Sequence, residues 1–175
     1  IGITDPKYLA DMAKEMIAER DIKVKKSQVK VAMLMCAVSP EYLRDGDLKG
    51  KLNPEKLQKW AEGTLKYLRE TCGDNLLSVV FHLDEMNPHA SAYVLPMVKK
   101  DIKTMGAPRK GTRNKPRKTT KQWRLSHKDL FTRDKRILEI DSNGEKKLQR
   151  IEKGTCAQMQ DDYADVLQKM GLDVQ

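Results

Sequence analysis

Residues 76–98, LLSVVFHLDEMNPHASAYVLPMV, hold two apolar, β-branched stretches on either side of a polar, turn-forming centre. Val79, Val80 and Phe81 lead into His82, and Ala90, Ser91, Ala92, Tyr93 and Val94 follow His89. Such residues favour strands and the Asn87-Pro88 pair favours a turn, so neighbouring antiparallel strands are predicted over 76–83 and 89–98. A tight turn joining Leu83 to Pro88 sets His82 opposite His89, where Cβ atoms lie ~4.5–5.5 Å apart. Two imidazoles at that separation can reach one cation. Period-two alternation puts Ser91 on the face of His89, which makes its hydroxyl a candidate third inward group. Glu85, in the turn, can give a carboxylate oxygen to a metal or act as an acceptor behind the histidines, and it is the candidate catalytic carboxylate. Asp84 is read as holding the turn. The helical HExxH pattern of zinc proteases does not fit, because Asn87-Pro88 between the histidines would break the helix it needs.

Upstream of this hairpin, Asp5-Pro6 reads as the N-cap and first position of a helix, and Leu9, Met12, Met16 and Ile17 recur at helical spacing to about Glu19. The apolar run VKVAMLMCAV at 29–38 is predicted to be a buried central strand ending at Ser39-Pro40. A polar loop punctuated by Gly46 and Gly50 follows. Asn53-Pro54 then starts a second helix whose Leu57, Trp60, Ala61, Thr64, Leu65 and Leu68 form one apolar face, with Gly73 as its stop. Beyond the hairpin, Ser126 with Asp129 resembles a capping box and predicts a short helical turn. Residues 136–151 carry two short apolar patterns around Asn143-Gly144; a β-hairpin is the preferred reading, with a helix broken at Gly144 as the competitor. Met159, Tyr163, Val166, Leu167 and Met170 trace a final helix closed by Gly171. The fold class that results is α+β, a central antiparallel sheet with helices packed on it and a C-terminal β-hairpin insertion.

The formal charge of the 175-residue chain is +9, and it is concentrated. Residues 99–124 contain eleven basic side chains, Lys99, Lys100, Lys103, Arg109, Lys110, Arg113, Lys115, Arg117, Lys118, Lys121 and Arg124, against Asp101 alone. With Gly106, Pro108, Gly111 and Pro116 among few apolar residues, the segment is read as a flexible basic loop. Such a stripe matches a phosphate backbone, because each neutralised phosphate releases condensed counterions; a merely solvated loop is the plainer alternative.

The length suits one domain spanning residues 1–175. No apolar run is long enough to cross a bilayer and no signal peptide opens the chain, so a cytoplasmic location is expected. The start at Ile1 leaves room for an upstream segment. Cys36, Cys72 and Cys156 are too scattered for a disulfide framework or a zinc knuckle. His127, without an obvious partner pattern, is read as an ordinary polar residue.

The stretch HLDEMNPHASAYVLP, residues 82–96, resembles the metal-binding motif of plasmid mobilisation relaxases of the MobV (Mob/Pre) family, within the HUH endonucleases. The succession of strand, helix, strand, motif strand, loop, LSHKDLF at 125–131 and a closing helix before GLDVQ extends the likeness over residues 25–175. The resemblance implies a relaxase-like, ferredoxin-like palm and a divalent metal, Mn or Mg. It implies His82 and His89 as metal histidines and Glu85 as the motif glutamate. Ser91 falls where many members carry a third histidine. The implied activity is metal-assisted nicking of one strand of origin-of-transfer DNA, single-stranded or hairpin, through a covalent protein–DNA intermediate. In the family the nucleophile, a histidine or tyrosine, lies in an N-terminal motif that precedes this material, and no matching motif is present. Tyr8, Tyr42, Tyr67 and Tyr163 remain, of which Tyr67 and Tyr163 fit helix faces as packing residues. The alternative is a non-catalytic DNA-binding module with a degenerate site.

Overall fold

A computed structural model describes residues 5–103, 119–130, 135–140, 146–152 and 155–173. The first helix, α1 (Pro6–Glu19), starts as its sequence dictates, with Pro6 at the first position and the Asp5 carboxylate accepting from the Lys7 amide at 2.8 Å. Strand β1 (Ala32–Ala37) follows, then a four-residue helix α2 (Pro40–Leu43). Pro40 thus opens a helix, the role its fixed φ and missing N–H suit best. Helix α3 (Pro54–Cys72) is capped by the Asn53 side chain, which accepts from the amides of Glu55 and Lys56. It ends at Gly73, whose φ of 49° lies in the left-handed region that favours glycine.

Three strands form the main sheet in the order β1-β3-β2, where β2 is Leu76–His82 and β3 is His89–Val94, all antiparallel. The hairpin is therefore as expected, but two readings need correction. β1 is shorter than the run 29–38, and among the described residues it pairs with β3 alone, so the central strand is β3. Its apolar run is covered on one face only: Cys36 is buried, while Met33 and Met35 are exposed. The stretch 89–98 is also not one strand. Pro96, which has no amide hydrogen to give a ladder, separates β3 from β4 (Met97–Lys103).

The segment 99–124 is not simply a loop. Its two ends form β4 and β5 (Thr119–Leu125), an antiparallel ribbon running from Met97↔Leu125 out to Lys103↔Thr119. Residues 104–118, with Arg109, Lys110, Arg113, Lys115, Arg117 and Lys118, lie outside the described residues. The short turn α4 (His127–Leu130) forms where Ser126 and Asp129 announce it. Strands β6 (Lys135–Ile140) and β7 (Lys146–Glu152) pair antiparallel, so the hairpin reading holds over its helical competitor, although Asn143-Gly144 lies outside the described residues. Helix α5 (Thr155–Lys169) closes the chain before Gly171, whose φ is 79°.

Alternation along the paired strands sorts the sheet into two faces. Cys36, Ala90 and Phe81 stand in one row and Leu34, Ala92 and Val79 in the next, and these meet Trp60, Tyr67 and Leu68 of α3 and Leu167 of α5 in one cluster. Trp60 is fully buried, stands edge-on to Phe81 at 5.5 Å, and donates its indole N–H to the Tyr163 hydroxyl at 2.9 Å. Thr64 shares that hydroxyl at 2.9 Å, so the polar atoms entering this core are satisfied. Gly63 lets α3 and α5 approach closely, since a Cβ there would lie 2.9 Å from the Leu167 methyl. A second cluster joins Leu9 and Ala13 of α1 to Leu77, Leu95, Met97 and Leu125, with Tyr93 packed against it. It fixes the end of the sheet from which the β4–β5 ribbon departs.

Candidate functional site

The opposite sheet face presents Ala37–His89–His82 in one row, Met35–Ser91–Val80 in the next and Met33–Tyr93–Ser78 beyond. His82 and His89 are thus paired across the ladder, as the tight-turn reading requires, and they point away from the α3–α5 layer. Their rings are stacked, with centroids 4.6 Å apart and planes inclined by 16°. The turn between them is anchored by Pro88, one of the fully buried residues.

Glu85 lies near the Nδ1 atoms of both rings. One carboxylate oxygen lies 4.0 Å from His82 Nδ1 and the other 3.7 Å from His89 Nδ1, with Glu85 half-exposed and the His89 side chain only 13% exposed. These separations are too long for hydrogen bonds but short enough for charge attraction. His89 Nδ1 also lies 3.1 Å from the Asn87 carbonyl. A carbonyl only accepts, so that contact sets a proton on Nδ1 and leaves Nε2 as the free lone pair. A metal-binding histidine is held the same way, its other nitrogen donating to an acceptor behind it.

The donor set suits a metal by chemistry and nearly by distance. His82, Glu85 and His89 each offer one ligand atom, all within 4.8 Å of one another. Three donors spread evenly around a single ion at ~2.1 Å each stand no more than about 3.6 Å apart, so the cluster would have to close by up to about 1 Å. Stacked rings send their lone pairs side by side, so convergence also needs a tilt of one imidazole. Ser91 shares the face but is 4% exposed, one row behind the histidines and between Met35 and Val80.

Sequence reasoning missed Arg44. Its guanidinium donates to the Glu85 carbonyl and to the Pro40 carbonyl, each at a long 3.4 Å, and so ties α2 to the histidine turn. Nothing in the sequence links positions 41 residues apart. The loop that carries Arg44 is itself held by Lys56, 2.7 Å from the Asp45 carboxylate, and by Asn53 donating to Asp45 at 2.9 Å. Those contacts hold the Asp45 carboxyl below its ordinary range.

Burial pushes the phenols of Tyr67 and Tyr163 up to about 12, which disfavours the phenolate of either. Tyr67 donates to the Met159 carbonyl at 2.8 Å and Tyr163 is the core partner of Trp60, so both are packing residues as expected. Tyr42 lies under the Lys56 ammonium at 4.5 Å, and Tyr8 is exposed on α1. A cleft of about 780 Å³ lies among Val38, Tyr42, Lys56, Gln160 and Tyr163 and includes none of the three clustered residues.

The basic residues do not behave alike. Lys100 is spent on Asp129, with ammonium–carboxylate distances of 2.6 and 2.5 Å that also lower the Asp129 pKa. Lys99, Lys121 and Arg124 are exposed on the ribbon, and Lys103 ends β4. His127 is exposed at the start of α4. No helix among the described residues is long and apolar enough to cross a membrane.

Comparison with known proteins gives a family. The family model described as "Plasmid recombination enzyme" (Mob_Pre) matches residues 4–160. A "65 kDa protein" of Zymomonas mobilis subsp. mobilis is 30% identical over 97 residues, which are 54% of this chain and 16% of that protein, so the chain spans only a small part of that relative's length. No solved structure matches. The α+β architecture and the antiparallel sheets agree with the match, and the chain belongs to the plasmid recombination enzyme family, the Mob/Pre relaxases.

Proposed function

We propose that this chain is a relaxase domain spanning residues 1–175 that binds origin-of-transfer DNA, single-stranded or hairpin, and nicks one strand at the His82, Glu85 and His89 cluster. The observation that carries this reading is the pairing of His82 with His89 across the β2–β3 ladder, with the Glu85 carboxylate near the Nδ1 atoms of both. His82 and His89 would hold a divalent ion, Mn or Mg. Glu85 would be either a third ligand or the acceptor that orients the imidazoles. A bound divalent ion supplies Lewis-acid stabilisation of the charge that develops on the non-bridging phosphate oxygens.

The chain's own residues do the positioning. Pro88 and the Asn87 carbonyl fix the His89 ring, Arg44 steadies the backbone of Glu85, and the ribbon cations draw in the phosphate backbone. The nick is an exchange at phosphorus: a protein oxygen or nitrogen nucleophile bonds to the phosphate, and the bond to the 3′-oxygen breaks, leaving a 3′-hydroxyl. Tyr67 and Tyr163, each engaged in a packing hydrogen bond, are not assigned as that nucleophile.

The test is cleavage of a cognate single strand in Mn²⁺ by a preparation that contains the whole protein, against His82→Ala and His89→Ala. Loss of cleavage and of the covalent adduct in both variants is expected; equal cleavage would overturn the assignment. A second reading, DNA binding without catalysis, is favoured by the burial of Ser91 at the place of a further ligand. It predicts salt-sensitive binding with no adduct.

A further inference from the structure

The two tryptophans of the chain sit in opposite settings. Trp60 is fully buried, whereas Trp123 is 37% exposed on β5. The ribbon that carries Trp123 is firmly rooted. Its first pair, Met97 and Leu125, is buried under α1, Asn75 donates to the Met97 carbonyl at 3.1 Å, Ser126 donates to the Pro96 carbonyl at 2.8 Å, and Gln28 donates to the Leu125 carbonyl. The next pairs outward on the same face are Lys99↔Trp123 and Asp101↔Lys121. The Lys99 ammonium lies 5.7 Å from the indole centroid, and the Arg20 guanidinium, from the end of α1, lies 5.5 Å from it.

We propose that Trp123 is a stacking platform for one unpaired nucleotide of a single DNA strand, with Lys99 and Arg20 placed to meet the flanking phosphates. This rests on the DNA-binding reading above but not on the metal cluster. An indole left partly open within a basic ribbon has an apolar face to offer, and every base has a π-face to lay on it. Cations around the ring complement the phosphates on either side of a stacked base. The Trp123 face presents Lys99 and, opposite Asp101, Lys121; on the other ribbon face Lys100 is neutralised by Asp129 and Arg124 is exposed. The plainer role for Trp123 is to pin the ribbon to α1 through Arg20, whose guanidinium also lies 3.6 Å from Glu19 and 4.0 Å from Asp74. Pinning requires no base.

The experiment uses the full chain in EDTA, so that metal chemistry plays no part, and follows tryptophan fluorescence during titration with an oligothymidylate of about 15 nucleotides, a length that covers one binding site. Trp60 contributes a constant buried signal. Quenching is expected with the oligothymidylate and much less with an abasic strand of equal length. Trp123→Phe should abolish the quench with a modest loss of affinity, and Trp123→Ala should bind about 5- to 150-fold more weakly, the ratio that ~1–3 kcal/mol of stacking represents. Binding without quenching, or equal quenching by the abasic strand, would overturn the platform and leave the DNA reading standing. No binding at all would overturn both. Failure of metal-dependent cleavage with quenching intact would leave the platform standing.

Discussion

The β2–β3 hairpin and the β4–β5 ribbon are consecutive products of one stretch of chain, and they solve opposite problems. β2 and β3 lie in a sheet backed by α3 and α5, with Ala90 and Ala92 fully buried, and the hairpin brings His82, Glu85 and His89 together at its tip. The ribbon carries its charges beyond the packed core, on pairs such as Lys99↔Trp123 and Lys100↔Gln122 that are exposed. Packing fixes ångström-scale geometry in the first; in the second, charge acts at the range of a Debye length, ~8–10 Å, where exact placement matters little.

That contrast can be broken most sharply at the two tryptophans. Trp60→Ala removes a fully buried ring and the partner of Tyr163, and should cost about 3–5 kcal/mol in urea unfolding. Trp123→Ala should cost well under half of that, because its ring is partly in water already. Equal losses would mean that the ribbon is as much a part of the core as α3 is. Next in size is Gly63→Val, which drives a branched side chain into Leu167 and should destabilise by ~1–3 kcal/mol by the same measurement. An unchanged midpoint would show that α3 and α5 are looser than drawn.

A smaller effect separates the two regions by salt. Replacing Lys99 and Lys121 by Ser should flatten the dependence of single-strand affinity on log salt by about 0.7 for each phosphate that is no longer neutralised, while Lys100→Ser, on the other face, should change it little, its charge being met by Asp129. A slope that responds equally to Lys100 would contradict the division of the ribbon into two faces. The smallest effect is chemical. Burial pushes the Cys36 and Cys72 thiols up to about 11, so at pH 8 both stay protonated and slow to alkylate, while exposed Cys156 should react first. Mass spectrometry after brief maleimide treatment reads this directly; early labelling of Cys36 would mean that the sheet core opens.

The hairpin is legible in the sequence because its signals are local and mutually reinforcing: β-branched residues on both sides, Asn87-Pro88 between, and a register that follows once the turn is short. β1 misleads for a physical reason. Met33 and Met35 look like core residues in sequence, and nothing in an apolar run says that one of its faces lies open on an edge. The ribbon is hidden by composition, since Lys, Thr and Gln side chains give no apolar alternation, and β4 and β5 are joined by a long connection rather than a turn signal. Pro40 reads as a stop after an apolar run and is in the fold a helix start. Arg44 is invisible to sequence reasoning, because its link to the Glu85 carbonyl exists only once α2 is folded against the hairpin tip.

The central claim is that His82, Glu85 and His89 form one divalent-metal site. It is tested most directly by titrating the wild-type chain with Mn²⁺ under calorimetry, alongside His82→Ala, His89→Ala and Arg44→Ala. The expected result is one bound ion for the wild type, at least a tenfold loss of affinity in each histidine variant, and a smaller loss for Arg44→Ala with the fold intact by circular dichroism. Mn²⁺ affinity unchanged in both histidine variants, or no binding to the folded wild type, would contradict it.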